Sequence, residues 1–167
     1  MAKLNIAYGY NLAREFTNRL EALSPDVKLF DVTELVDQEY KAAAEFGSDS
    51  AEGRAASEKV DDVIKDVDIY YSARLPKGLT SRAPKLKWLQ YVWDGIDLDV
   101  GKDILESPII LTNARHQAAL NIAEWVVMVI LMFAKRQHDQ IVERHARFWS
   151  NEFYNQVELK GKTVGVV

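Results

Sequence analysis

Short runs of β-favouring apolar residues alternate along this chain with segments of helical periodicity, and that alternation limits the fold more than any other feature. Leu4–Tyr10 (LNIAYGY), Val27–Val32 (VKLFDV), Val67–Ala73 (VDIYYSA), Leu86–Trp93 (LKWLQYVW) and Ile109–Ala114 (IILTNA) read as strands. Between the first two, Leu12, Phe16, Leu20 and Leu23 recur at helical spacing, which predicts a helix over Asn11–Leu23 that stops at Ser24-Pro25-Asp26. The stretch Thr33–Lys65 is polar and Ala-rich, with Gly47 and Gly53 as breaks, so two weak helices around a loop are expected. Short helices are expected near Gly78–Ala83 and Val100–Leu105.

Strands that are continuous apolar runs, each followed by a helix, predict a parallel sheet covered on both faces. The five βα units over residues 1–115 suit an α/β, flavodoxin-like, doubly wound sheet. Residues 116–167 read differently. A long apolar helix, Ala118–Arg136, precedes a more polar one, Gln137–Ser150, and Thr163–Val167 (TVGVV) reads as a sixth strand. That strand has no neighbour in sequence and no following helix. A parallel strand needs partners for its backbone groups, so the expectation is that the chain stops inside a larger fold.

Composition removes several function classes. Lys and Arg number 21 and Asp and Glu 25, a net charge of −4, so no basic excess exists to neutralise nucleic-acid phosphates or anionic lipid. The chain has no cysteine, which excludes disulfides, thiolate metal sites and a cysteine nucleophile, and fits a cytoplasmic protein. The longest unbroken apolar run, Trp125–Ala134, is far shorter than the ~20 residues a membrane span needs.

Three segments, taken in order, carry a family resemblance. The strand and loop LKWLQYVWDGIDLD, the segment LTNARHQAALNIAEWVVMVILMFAKR and the tail ELKGKTVGVV resemble the corresponding parts of the D-isomer-specific 2-hydroxyacid dehydrogenases. The likeness is good over residues 67–167 and loose over residues 1–66. It implies a substrate domain over residues 1–115, and, over residues 116–167, interdomain and dimerisation helices with the first strand of an incomplete Rossmann nucleotide-binding domain. It also implies an active site in a cleft between the two domains. Hydride would pass between a nicotinamide cofactor, NAD or NADP, and a D-2-hydroxy acid or 2-oxo acid. The helices Ala118–Ser150 would build a homodimer. The family's glycine-rich dinucleotide turn would begin just after Val167, and its catalytic Arg, Glu and His lie further on, so no catalytic residue is assigned within this sequence.

Asp94-Gly95-Ile96-Asp97 follows the fourth strand, where ligands of open α/β sheets bind. Glycine there lets backbone amides approach a carboxylate, and adjacent N–H groups can form an anion-binding nest. The plain alternative is a strand-ending turn with a solvated Asp. With the resemblance, Gly95 and Ile96 become carboxylate binders through their amides, beside Asp94. Ser72-Ala73-Arg74 ends the third strand and is expected to line the same cleft, where Arg74 offers a fork to a carboxylate or is an ordinary surface arginine. The resemblance makes Ala118 and Ile122 apolar walls facing substrate and nicotinamide, with helix packing as the alternative. His116 reads as cleft-lining or hinge rather than catalytic. Glu124 interrupts the apolar helix and would need a partner if buried. His138 and His145 lie seven residues apart, too far to share a metal without a third ligand, so no metal site is assigned. Trp125, Met128, Met132 and Phe133 suit core packing or a dimer interface.

These readings point to the substrate-domain portion of an NAD(P)-dependent oxidoreductase, inactive by itself. The competing class is a non-catalytic, flavodoxin-like dimerising interaction module or a decayed gene product. A phospho-receiver is disfavoured, since Gly9-Tyr10, Ser72 and Asn113-Ala114 stand where its acidic pair, Asp and Lys are required. A flavin binder is disfavoured because YGYNLA is not a Ser/Thr-rich phosphate loop.

Overall fold

The computed structural model describes residues 3–96, 100–149 and 155–165. The chain divides into two compact units, Met1–Arg115 and His116–Val167. In the first, β1 (Leu4–Gly9), α1 (Arg14–Glu21), β2 (Val27–Asp31), α2 (Thr33–Phe46), α3 (Ala51–Ile64), β3 (Ile69–Ser72), α4 (Leu79–Arg82), β4 (Trp88–Tyr91), α5 (Lys102–Leu105) and β5 (Ile110–Asn113) follow in order. The five strands form an all-parallel sheet in the order β2-β1-β3-β4-β5. This is the flavodoxin-like order, in which the chain reverses direction of winding between β1 and β3.

The two faces of the sheet are unequal. Ala7, Tyr70, Ser72, Leu89 and Tyr91 share one face by register and are buried. They pack with Val36 of α2, Val60 and Ile64 of α3, Leu79 of α4 and Ile104 of α5 to make the core. The other face carries Ile6, Ile69, Trp88 and Ile110 in one row and Tyr8, Tyr71, Gln90 and Thr112 in the next. There, α1 lies over a groove of about 450 Å³ lined by Leu12, Phe16, Leu20, Leu23, Ile6, Ile69, Tyr71 and Trp88. Trp88 Nε1 donates to Thr112 Oγ1 (2.7 Å), whose hydroxyl donates to Gln90 Oε1 (2.6 Å) across this face.

Gly47 ends α2 with φ of +89°, as the sequence predicts, but Gly53 does not break anything: it lies in the first turn of α3. Ser50 caps that helix by accepting from Gly53 N (2.9 Å), and a Cβ on Gly53 would fall 2.4 Å from the Gly47 carbonyl oxygen. Glycine is there because the backbone of the loop after α2, at Gly47 and Ser48, folds onto the first turn of α3, not because the helix ends.

The second unit contains α6 (Ala119–Ala134) and α7 (Gln137–His145). Helix α7 ends five residues before the expected Ser150, which itself lies outside the described residues. No residue of α6 or α7 is buried. Val157 N donates to Ala134 O (2.8 Å) and Lys135 Nζ to Val157 O (3.0 Å), tying the last described segment to the end of α6. The expected sixth strand is not formed over Thr163–Gly165; Val166 and Val167 lie outside the described residues. A parallel strand requires a neighbour to receive its hydrogen bonds, and those residues have none among the described residues.

Candidate functional site

The carboxyl ends of β1, β3 and β4 carry the candidate residues together. Beyond β4, the loop is pinned to β3 and β5 by its backbone. Val92 N donates to Ser72 O (3.1 Å), Ala114 N to Trp93 O (3.3 Å) and Asn113 Nδ2 to Asp94 O. Gly95 is exposed and Ile96 half-buried, and neither backbone N–H donates a hydrogen bond among the described residues. No atom lies within 4 Å of where a Gly95 side chain would begin. The φ of Gly95 is outside the left-handed region, so the expected concave nest is not formed. What exists is a pair of adjacent amides on an open, backbone-pinned loop. Asp97, the last residue of that segment, lies outside the described residues.

Ser72 does not line a cleft. It is fully buried, its Oγ 3.0 Å from Gly9 O and 2.6 Å from Arg74 O, and it accepts from Arg74 N (3.0 Å). Its one proton serves one carbonyl at a time, so the residue is a brace holding the exit of β3 against β1. A buried hydroxyl at a strand end satisfies local backbone groups at least as well as it offers a ligand contact. Arg74 is likewise committed. Its Nη1 pairs with Asp37 Oδ1 at 2.5 Å, its guanidinium lies 5.5 Å from the Tyr40 ring centroid, and Tyr40 Oη donates to Leu75 O (2.8 Å). The fork therefore faces α2. Both partners are about half exposed, so the pair is weak in stability terms. Ala73, between the two, is half-buried.

Two features escaped the sequence reading. Tyr10 presents its ring edge-on to Tyr71 (centroids 6.2 Å apart) and to Trp93 (6.4 Å), making an aromatic group beside the Gly95 loop. Burial, and then the neighbouring Tyr10, raise the Tyr71 phenol above its ordinary pKa. Beneath β3, Arg82 joins three helices: it pairs with Glu39 of α2 (2.7 Å) and Asp61 of α3, and donates to Ser57 O (3.1 Å) and Lys77 O (3.3 Å). Tyr70 is buried beside Ser72 and this network, and burial pushes its phenol far above the ordinary range.

His116, the first residue of the second unit, has φ of +67°, a turn conformation uncommon outside glycine. Glu124 is exposed, so the partner expected for a buried carboxylate is not required. Trp125, Met128 and Phe133 are each more than half exposed, as is Ile122, and Met132 is half-buried, so this face is not buried within the chain itself. His138 contacts the Phe133 ring (5.1 Å) and lies 3.4 Å from Asp139, while His145 is exposed. No metal-binding cluster occurs among the described residues.

This arrangement defines an α/β protein of flavodoxin-like order with an open loop beyond its fourth strand, and its relatives fit that class. The chain is 25% identical over 145 residues to a D-3-phosphoglycerate dehydrogenase of Methanocaldococcus jannaschii, covering 84% of this chain and 28% of that protein. Its fold is similar to D-isomer specific 2-hydroxyacid dehydrogenase family proteins from Aeromonas salmonicida subsp. salmonicida A449 (TM-score 0.59, 16% identity) and Klebsiella pneumoniae 342 (TM-score 0.56, 18% identity). These cover 92% and 95% of this chain but 43% and 42% of the solved ones, so the chain spans less than half of each relative. No family model matches the chain. The resemblance to the D-isomer-specific 2-hydroxyacid dehydrogenases read from the sequence is thereby borne out.

Proposed function

We propose that this chain is the substrate-domain portion of an NAD(P)-dependent oxidoreductase that acts on a D-2-hydroxy acid or 2-oxo acid by hydride transfer in the cytoplasm. The observation that carries this reading is the pair of unengaged amides at Gly95 and Ile96, on a pinned loop at the carboxyl end of β4. Amides held in place before a ligand arrives bind a carboxylate without the cost of ordering a loop. Gly95 and Ile96 form the cradle in this proposal through their amides, with the Asp94 carboxylate turned away from the bound acid, while Ser72 braces the end of β3 that carries Ala73 and Arg74. A positive side chain for the carboxylate is not supplied by Arg74, which Asp37 holds.

The residues of this chain do not fit a dinucleotide. Such a cradle uses a G-x-G-x-x-G turn from a strand into a helix, and the glycines here stand at 9, 47, 53, 78, 95, 101, 161 and 165, with no such spacing. Ile122, read as a nicotinamide wall, is a solvent-exposed helix residue. The chain alone is therefore expected to bind and orient an acid without transforming it. The apolar, exposed surface of α6 supports a homodimer through Ala118–Ser150. It also supports the alternative of a non-catalytic interaction module, which would leave the loop amides without a ligand.

Amide-resolved NMR of the chain titrated with pyruvate separates these readings. Concentration-dependent shifts at Gly95 and Ile96 are expected. Shifts scattered over the surface, or none at the β4 loop, would overturn the acid-binding reading.

A further inference from the structure

Three aromatic rings gather beside Gly95, and the hydrophobic core does not account for them. Tyr10 follows β1, Tyr71 belongs to β3 and Trp93 follows β4. The ring of Tyr10 is half-buried and stands at 89° to Tyr71 and 85° to Trp93, the edge-on geometry that ring quadrupoles favour. Trp93 is thus braced on its Tyr10 side while 52% of it remains exposed. A turn that only had to end a strand would be served by small or polar residues; a braced, half-exposed indole is apolar surface kept in water. Two residues further on are the open amides of Gly95 and Ile96, and the hydrogen bonds Ala114 N to Trp93 O and Asn113 Nδ2 to Asp94 O fix the backbone between them.

Resting on the acid-binding reading above, we propose that the substituent of an acid held by those amides is set against this indole, and that Trp93, positioned by Tyr10, determines specificity: the site takes 2-oxo or 2-hydroxy acids carrying a flat apolar substituent in preference to those carrying only a methyl group. A fixed indole offers a planar apolar surface at little entropic cost, which suits an aromatic or similarly flat group by edge or offset stacking. A methyl group leaves most of that surface in water.

The test is an NMR titration of the isotopically labelled full chain with three probes: phenylpyruvate, pyruvate and 3-phenylpropionamide, which keeps the ring and lacks the carboxylate. Phenylpyruvate is expected to shift Gly95, Ile96 and the Trp93 indole N–H together, with a Kd about tenfold below that of pyruvate, the upper range for one aromatic contact. In Trp93→Ala that ratio falls to near one, and in Trp93→Phe most of it returns; the dispersion of the amide spectrum reports that each variant is folded. Equal affinities for pyruvate and phenylpyruvate, with Gly95 and Ile96 still shifted, would sink the specificity proposal and leave the cradle standing. If neither acid moves those amides, the acid-binding reading itself is lost. Amide binding as tight as phenylpyruvate binding also refutes the proposal, since the contact would then be adhesion to an exposed ring. These comparisons are made first on the native chain, so they hold even if a variant fails to fold.

Discussion

Replacing Arg82 with methionine tests how the first unit is held together. The Arg82 side chain is 14% exposed and that of Glu39 10%, so their contact is largely removed from water. Methionine keeps the apolar stem but removes every donor that Arg82 offers to Glu39, Asp61, Ser57 O and Lys77 O. Asp61 is 41% exposed and can be rehydrated, so its share is small. Glu39 cannot: it would keep one hydrogen bond, from Ser57 Oγ at 2.8 Å, and its Oε2 is already buried without a partner. Stranding one member of a buried pair costs about 3–5 kcal/mol, against a total stability of roughly 5–15 kcal/mol for a domain. Urea unfolding of Arg82→Met followed by circular dichroism should show that loss as a lower midpoint. The double variant Arg82→Met/Glu39→Met should regain at least half of it, because the stranded charge is gone. If the single variant loses under ~1 kcal/mol, or the second substitution adds a further loss, the buried charge is not the dominant cost and the reasoning fails.

Gly95→Ala should leave the fold intact and raise stability by about 0.4–1 kcal/mol, because no atom opposes the new Cβ and φ is not left-handed, while acid-induced shifts at Ile96 weaken; undiminished shifts would show that close approach at Gly95 is not needed. Gly9→Ala has the opposite sign: the Cβ would meet Ser72 Oγ at 2.7 Å and Tyr70 Oη at 3.1 Å, a misfit worth about 1–3 kcal/mol in thermal unfolding, and a neutral result would mean that the Ser72 brace yields. Burial opposes the Asp68 carboxylate, but the Lys87 hydrogen bond, the Asn5 amide and the charges of Lys87 and Lys85 outweigh that and hold its carboxyl below the ordinary aspartate value. Its contribution is therefore complete above the unfolded value and lost as pH falls through the lower folded one, so Asp68→Asn should narrow the stability gap between pH 6 and pH 3, and an unchanged acid limb would refute the pairing. Calorimetric titration of the native chain with NAD should show no saturable heat, and tight binding would contradict the misfit of its glycines to a dinucleotide.

The positions of the strands were legible because β-favouring Val, Ile, Tyr and Trp dominate Val67–Ala73 and Leu86–Trp93, around the observed Ile69–Ser72 and Trp88–Tyr91, although the sheet is closely covered on one face only. Residue roles were less legible, because they depend on register. Ser72 reads as a cleft residue until its pairing with Gly9 and Tyr91 shows it on the core face. Arg82 lies 43 residues from Glu39 and 21 from Asp61, with no local pattern announcing the pairs. Gly53 carries the same mark as a helix-breaking glycine, and only the approach of the Gly47 carbonyl tells the two apart. The apolar run of α6 is plain in the sequence, whereas its exposure is not, since hydrophobicity states a need for burial without saying what satisfies it.

The β4 loop joins these lines of argument. Its backbone is tied to β3 through Val92 and to β5 through Trp93 and Asp94, so residues up to Asp94 inherit the rigidity of the sheet. At Gly95 the ties stop, and the next two amides have no internal acceptor among the described residues. Elsewhere in the first unit polar groups close on one another: Ser72 on Gly9 and Arg74, Arg74 on Asp37, Arg82 on Glu39 and Asp61. The amides of Gly95 and Ile96 stand open next to this fixed backbone and give an anion a place to bind. Arg74, the residue with the more obvious charge, is spent on structure, and the backbone amides of the glycine loop are the better candidate for recognition.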